Sequence, residues 1–184
     1  NLGARLRSRS DAPERLVHRG CCGGLFMATR ICVLKQSKEY AAAHVQWLEK
    51  QVPDLVCVSD VPVKGVETIK MPNNWPSWWC KMNLFDPNLI DDDLLYLDLD
   101  TVVFDLDGFD VGVSTMLSDF YKPRLPASGL MFIKQEDKAA VWQEWIQKPD
   151  YHMARCTTRE RWGDQGFLKD VFKAQRWQDV FFCL

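Results

Sequence analysis

An α/β fold, a sheet whose strands are joined by helical crossovers, is the class this sequence predicts. Three observations carry the prediction. Short apolar runs rich in β-branched residues recur along the chain, at 29–35, 54–59 and 130–133 among others. Between them lie stretches whose apolar residues fall at helical spacing. The 184 residues also contain no internal repeat and no low-complexity linker, so one domain with a substantial core is expected.

Residues 29–35 read as a first buried strand. A helix is expected over 38–51, where Tyr40, Ala41, His44, Val45 and Leu48 fall at helical spacing, with Ser37 as N-cap and Pro53 as the stop. Strands follow at 54–59 and 66–71. Residues 73–85 predict a turn and then a helix with Trp78, Met82 and Phe85 on one face. The run 94–104 predicts a central strand by its length and apolar character. A strand at 130–133 comes next, then an amphipathic helix over 138–147 through Val141, Trp142, Trp145 and Ile146. A last helix spans 163–173, through Phe167, Leu168, Val171 and Phe172.

Composition narrows the function classes. With 47% hydrophobic and 26% charged residues the chain reads as an ordinary soluble protein. A net charge of −2 argues against a general nucleic-acid binder, which presents a basic surface. No apolar run approaches the roughly 20 residues of a membrane-spanning helix. Seven cysteines occur, none in a C-x-x-C pair, and several, such as Cys32 and Cys57, lie inside apolar runs. They read as buried free thiols of a reducing compartment, so a cytoplasmic location is expected. Residues 1–26 carry arginines and a Gly/Cys cluster without periodicity and without the apolar region of a secretory signal. They read either as a disordered extension or as sequence upstream of a start at Met27. The second is preferred because a strand pattern begins directly after Met27, which makes 27–184 the expected domain.

The chemistry centres on Asp98 and Asp100, which follow the apolar run Leu94-Leu95-Tyr96-Leu97. Side chains two apart on a strand share a face, so both carboxylates can address one cation while Leu99 turns away. Open α/β sheets bind ligands at the carboxyl ends of their strands, where this pair falls. Oxygen ligands suit Mg²⁺ or Mn²⁺, and Mg²⁺ is commonly held by one or two carboxylates plus substrate phosphates. The plainer alternative is two solvated aspartates at a strand–turn junction. For the second D-x-D triplet, Asp105-Leu106-Asp107, that alternative is preferred.

Four segments occur in order: Trp79-Cys80-Lys81-Met82-Asn83-Leu84-Phe85, the Asp98 strand, Ser128-Gly129-Leu130-Met131-Phe132, and Trp162-Gly163-Asp164-Gln165. Together they resemble the glycogenin-like and bacterial galactosyltransferase-like glycosyltransferases, and more closely a short bacterial branch of that GT-A superfamily, over about residues 30–172. The resemblance implies a Rossmann-like GT-A sheet with flanking helices and a nucleoside-diphosphate sugar as donor, with a UDP-sugar favoured. It leaves the acceptor unknown. It also implies Mn²⁺ or Mg²⁺ held by Asp98 and Asp100 against the diphosphate. Lys81 matches a basic residue that contacts the donor. Lys35 and Tyr40 match the region near the base, Asp60 closes the second strand beside them, and Ser128 and Gly129 border the donor. Asp164 would bind sugar hydroxyls and Gln165 would sit by the anomeric carbon, with Asp164 as a simple helix N-cap the alternative.

Two departures bear on activity. Ala127 stands where relatives carry Asn. The chain also ends at Leu184 before the C-terminal His that relatives supply as a third metal ligand, and His18, His44 and His152 lie in the wrong contexts to replace it. A truncated chain, or an incomplete metal site, is the expectation. The eight tryptophans divide into Trp142 and Trp145, read as core, and Trp75, Trp78 and Trp79, candidates for the rim of the site. Two rivals stay open: an inactive or truncated nucleotide-sugar-binding module, and a phosphatase of haloacid-dehalogenase type with Asp98 as nucleophile and Asp100 as acid.

Overall fold

The structure is a computed structural model and describes residues 28–106 and 112–181. The expectations placed on residues 1–26, Met27, His18, Cys21, Cys22, Asp107 and Cys183 lie outside the described residues.

In chain order the elements are β1 (Thr29–Leu34), α1 (Ala42–Glu49), β2 (Val56–Ser59), β3 (Glu67–Lys70), a 3-10 segment (Ser77–Phe85), β4 (Leu94–Leu97), β5 (Thr115–Ser118) and β6 (Pro126–Ile133). There follow α2 (Gln135–Gln147), α3 (Pro149–Arg155), the short pair β7 (Thr157–Thr158) and β8 (Arg161–Trp162), α4 (Gly163–Val171), β9 (Gln175–Arg176) and α5 (Trp177–Phe181). Seven strands form one sheet in the order β3-β2-β1-β4-β6-β5-β9. β6 runs antiparallel to both its neighbours, β4 and β5, whereas the other pairings are parallel. The fold is therefore α/β with a mostly parallel sheet, compatible with a Rossmann-like fold. From β1 the chain builds outward through β2 and β3, then returns to lay β4 on the other side of β1. That reversal makes a topological switch point between β1 and β4, where such sheets open a crevice at their carboxyl ends.

Strand alternation divides the core in two. On one face Ile31, Val33, Leu94, Tyr96, Met131 and Ile133 pack under the 3-10 segment, α2 and α4. On the other, Cys32, Leu34, Leu95, Leu97 and Leu130 pack with Val45 and Leu48 of α1 and with Trp177. Cys32, Cys57, Cys80 and Cys156 are all buried free thiols, the first two inside the apolar runs noted in the sequence. No described helix is long and apolar enough to cross a membrane.

Several expectations are corrected. The expected strand over 94–104 ends at Leu97, and Asp98 opens a turn closed by a hydrogen bond from Thr101 N to Asp98 O at 3.1 Å. Val102 and Phe104 are exposed, so the apolar run Thr-Val-Val-Phe lies outside the sheet. The helix expected over 38–51 spans only Ala42–Glu49 with Ala41 as its N-cap. Ser37 instead accepts from the amides of Glu39 and Tyr40 in a turn of its own, because a hydroxyl caps whichever amides lie within reach. Residues 77–85 form a 3-10 segment that is buried on every side from Trp79 to Phe85, so no single apolar face exists. Trp78, expected inside that face, is exposed, as is Ile146 of α2.

Candidate functional site

The 3-10 segment is fastened from within by Asn83. Its amide donates to the carbonyls of Asn73 (2.9 Å) and Cys80 (2.8 Å), while its oxygen accepts from Asn73 N at 3.1 Å. These bonds satisfy a fully buried amide and tie the segment to the loop after β3. Lys81 is thereby carried into the interior at the carboxyl end of β4. Its Nζ lies 3.0 Å from Asp98 Oδ1 and 3.3 Å from Asp164 Oδ2, and donates to Ser128 Oγ at 3.5 Å. Ser128 Oγ in turn donates to Asp164 Oδ2 at 2.7 Å. The Tyr96 hydroxyl donates to Asp98 Oδ1, and Lys81 Nζ sits 5.4 Å over the Tyr96 ring. Four separate elements thus meet in one polar cluster.

Backbone geometry lets these elements close in. The amide of Asp98 donates to Gly129 O at 2.8 Å, which ties the turn after β4 to β6. A Cβ at Gly129 would stand 3.3 Å from Asp98 Oδ2, so the missing side chain makes room for the carboxylate. Gly163 has φ of 59°, a left-handed conformation that favours glycine, and starts α4 with its amide donating to Cys156 O at 2.9 Å. The N-cap of α4 is Trp162, not Asp164. Asp164 lies in the first turn, where a carboxylate suits the helix dipole, and its side chain serves the cluster.

Exposure separates the members. The side chains of Lys81 and Asp164 are 10% and 7% exposed, while that of Asp98 is 31% exposed and is the more accessible of the two carboxylates. Burial alone would lower the Lys81 pKa, but the adjacent carboxylates of Asp164 and Asp98 outweigh it and hold the ammonium charged. Burial raises the Asp98 carboxyl above its usual value, against the opposing pull of Lys81 and the Tyr96 hydrogen bond. Burial, followed by the Asp98 charge, also pushes the Tyr96 phenol well up, so it stays a donor.

The remaining expected residues form satellites. Lys35, just past β1, pairs with Asp60 Oδ2 at 3.4 Å beyond the end of β2 and also meets Asn74. Asp60 Oδ1 accepts from the amide of Gln36 at 2.9 Å. The Tyr40 hydroxyl reaches the exposed Asp100 at 3.5 Å. Gln165 points away from the Lys81 cluster and donates to Asp119 Oδ2 at 2.8 Å. The structure brings together Lys81, Asp98, Ser128, Gly129 and Asp164, and leaves Lys35, Asp60, Tyr40, Asp100 and Gln165 on neighbouring pairs. Tyr96, Asn74 and Asp119 were missed in the sequence. Tyr96 was legible, since a side chain two before Asp98 shares its face; the loop residues Asn74 and Asp119 had no such register.

Among the described residues no three His, Cys, Asp or Glu side chains gather into a group able to hold a metal ion. The strand ends at Leu97, so the shared strand face expected for Asp98 and Asp100 is not formed; Asp98 meets Lys81 at 3.0 Å and the Tyr96 hydroxyl, and Asp100 lies 3.5 Å from the Tyr40 hydroxyl. His152 is no substitute ligand: it is buried beside Trp145 and Phe167, with Nε2 3.0 Å from Glu144 O. Of the tryptophans expected at the rim, Trp79 stacks on Trp145 at 5.1 Å and Trp75 meets Trp145 edge-on at 5.2 Å, so both belong to the core. Trp78 remains near the site, with its ring 6.1 Å from that of Trp162. Compared with family models, with curated proteins and with solved structures, the chain matches none.

Proposed function

We propose that this chain is a glycosyltransferase of the GT-A type, transferring a hexose from a nucleoside-diphosphate sugar to an acceptor hydroxyl. The observation that carries the reading is the buried Lys81–Asp98–Asp164–Ser128 cluster at the switch point of the sheet. Every member of it comes from one of the four segments on which the family resemblance rests. A cluster of this kind is costly to bury and weak as a source of stability, which favours a binding role for it.

In this reading Asp98 and Asp100 present their oxygens to a cation shared with the donor diphosphate. Mn²⁺ or Mg²⁺ bound there supplies charge neutralisation as the nucleoside diphosphate departs. Lys81 holds Asp98 in place and adds a fixed positive charge beside the diphosphate. Asp164, already accepting from Ser128 and Lys81, has further lone pairs for sugar hydroxyls. Lys35 and Tyr40 flank the carboxyl end of β1, where the base would lie, and Gln165 borders the side from which an acceptor approaches. The test is calorimetric titration with a panel of uridine and guanosine diphosphate sugars, with and without Mn²⁺. One of them is expected to bind with at least tenfold gain from the metal; a panel that binds no better with Mn²⁺ removes the proposal.

One observation favours a second reading, a nucleotide-sugar-binding module without transfer. Lys81 already pairs with both Asp98 at 3.0 Å and Asp164 at 3.3 Å, so each carboxylate has a cationic partner with no metal. That reading expects donor binding of equal strength with and without Mn²⁺, and no release of nucleoside diphosphate.

A further inference from the structure

We propose that the cavity beside the first turn of α4 binds an anionic sugar, and that this sugar is the acceptor of the transfer. The acceptor role rests on the transferase reading; the binding does not. The cavity measures about 300 Å³, at the small end of ligand pockets, which run from about 300 to 1,000 Å³. Its position follows from two elements of the cluster. On β6, Pro126 lines the cavity, and Ser128, two residues along the same face, belongs to the cluster; that step is about 7 Å. On α4, Asp164 reaches the cluster while Gln165 and Lys169 line the cavity. The two sites are neighbours built on the same strand and helix.

The lining specifies the ligand. Trp162 forms part of the wall and is 58% exposed, a large apolar surface left to solvent. It is braced by Trp78, which packs so closely on Gly163 that a Cβ there would come within 2.5 Å of the Trp78 indole nitrogen. An indole held in this way offers a flat apolar face to the C–H side of a sugar ring. Three cations share the cavity: Lys122, Arg159 and Lys169. No ion pair joins any of them to a carboxylate among the described residues; Lys122 Nζ donates instead to Arg159 O at 3.2 Å. Of the two acidic residues in the lining, Asp119 is occupied by Gln165 Nε2 and by the amides of Tyr121 and Lys122. The second acidic residue is Glu160, so three cations face two carboxylates and one positive charge is left over beside an exposed indole. A neutral sugar leaves those cations unmatched and a simple anion leaves Trp162 uncovered, whereas a sugar bearing one acidic group answers both.

In the acceptor role, a hydroxyl oxygen of the bound sugar forms a bond to the anomeric carbon of the donor. The bond from that carbon to the diphosphate breaks, its electron pair leaving on the diphosphate, and the hydroxyl proton ends on the released diphosphate.

Direct binding without nucleotide or metal tests the subsite separately from the donor site. Glucose 6-phosphate and glucuronic acid probe the two sources of the anionic group, with glucose and inorganic phosphate as controls, in calorimetric titrations of the full chain. At least one anionic sugar is expected to bind tenfold or more tighter than either control. Trp162→Ala and the double change Arg159→Gln/Lys169→Gln, both at exposed side chains, should each weaken it at least tenfold. Equal affinity for glucose, absence of binding by both anionic sugars, or an unchanged double variant overturns the subsite. A subsite that passes, in a chain showing no metal-dependent donor binding, overturns the acceptor role alone.

Discussion

Lys81 carries its charge into the interior because two carboxylates meet it there. Its folded pKa lies above the ordinary 10.5, so the stability it contributes is fully present below pH 10.5 and is lost as pH rises through the raised folded value. Lys81→Met leaves Asp98 and Asp164 without their cation, which should lower stability by about 3 kcal/mol, read as a fall in the urea midpoint. Lys81→Arg, which keeps the charge, should recover part of that loss; a midpoint unchanged in Lys81→Met would contradict the cluster. Lys138 behaves in the opposite sense. Its side chain is fully buried, donating to Ile90 O at 2.9 Å and Asp92 O at 2.6 Å, and burial pushes its pKa down to about 8 in spite of Asp92 and Asp93. The unfolded chain holds more protons between about pH 8 and 10.5, so this group makes stability rise with pH over that window. Nuclear magnetic resonance of ¹³C-labelled lysines should show one side chain titrating near pH 8. At Gly163, alanine meets two penalties, a left-handed backbone worth about 1–2 kcal/mol and the Trp78 indole. Placing Gly163→Ala in a Trp78→Ala background should return the steric part and leave the backbone part, a difference that thermal unfolding of the four variants measures.

Among the elements, α2 shows how far spacing predicts burial. Val141 and Trp145 lie on the buried side, with Trp145 between Trp79 and His152, whereas Ile146 is 42% exposed. Trp145→Ala should therefore cost about 3–5 kcal/mol, and Ile146→Ala only about 0.5 kcal/mol, in urea unfolding; similar losses at both positions would contradict this packing. The strands legible in the sequence were β1, β2, β3, β4 and the Leu130–Ile133 end of β6, all of them short runs rich in apolar or β-branched residues, though β3 is only partly buried. β5, β9 and the β7–β8 pair were not legible, being short and mixed in character, with partners far along the chain. The 3-10 segment was misread as an amphipathic helix because burial on all sides erases the period that distinguishes helix types. The run Thr101 to Phe104 misled in the other direction: its β-branched composition suits a strand, but the turn at Asp98 takes it off the sheet.

At the scale of the whole molecule, the order β3-β2-β1-β4 is what assembles the site. It brings the ends of β1, β2 and β4 to one edge, and reversed β6 adds Ser128 and Gly129 from the opposite direction. The residue types of the site were legible from segment order and from the register of Asp98. Their grouping was not, because it depends on how the 3-10 segment and α4 close over the sheet, and no local spacing encodes that closure. This is why Gln165, adjacent to Asp164 in sequence, serves the neighbouring cavity instead of the cluster. The central claim is that Asp98 and Asp100 bind a donor diphosphate through a shared cation. Calorimetric titration of uridine diphosphate hexose against the parent and Asp100→Asn, each with and without Mn²⁺, tests it most directly. Asp100 is exposed and, among the described residues, its side chain meets the Tyr40 hydroxyl at 3.5 Å, so its change should leave the fold and its unfolding temperature intact. The account predicts at least tenfold tighter binding with Mn²⁺ in the parent and no metal effect in Asp100→Asn. Equal metal dependence in both proteins, or none in the parent, would contradict it.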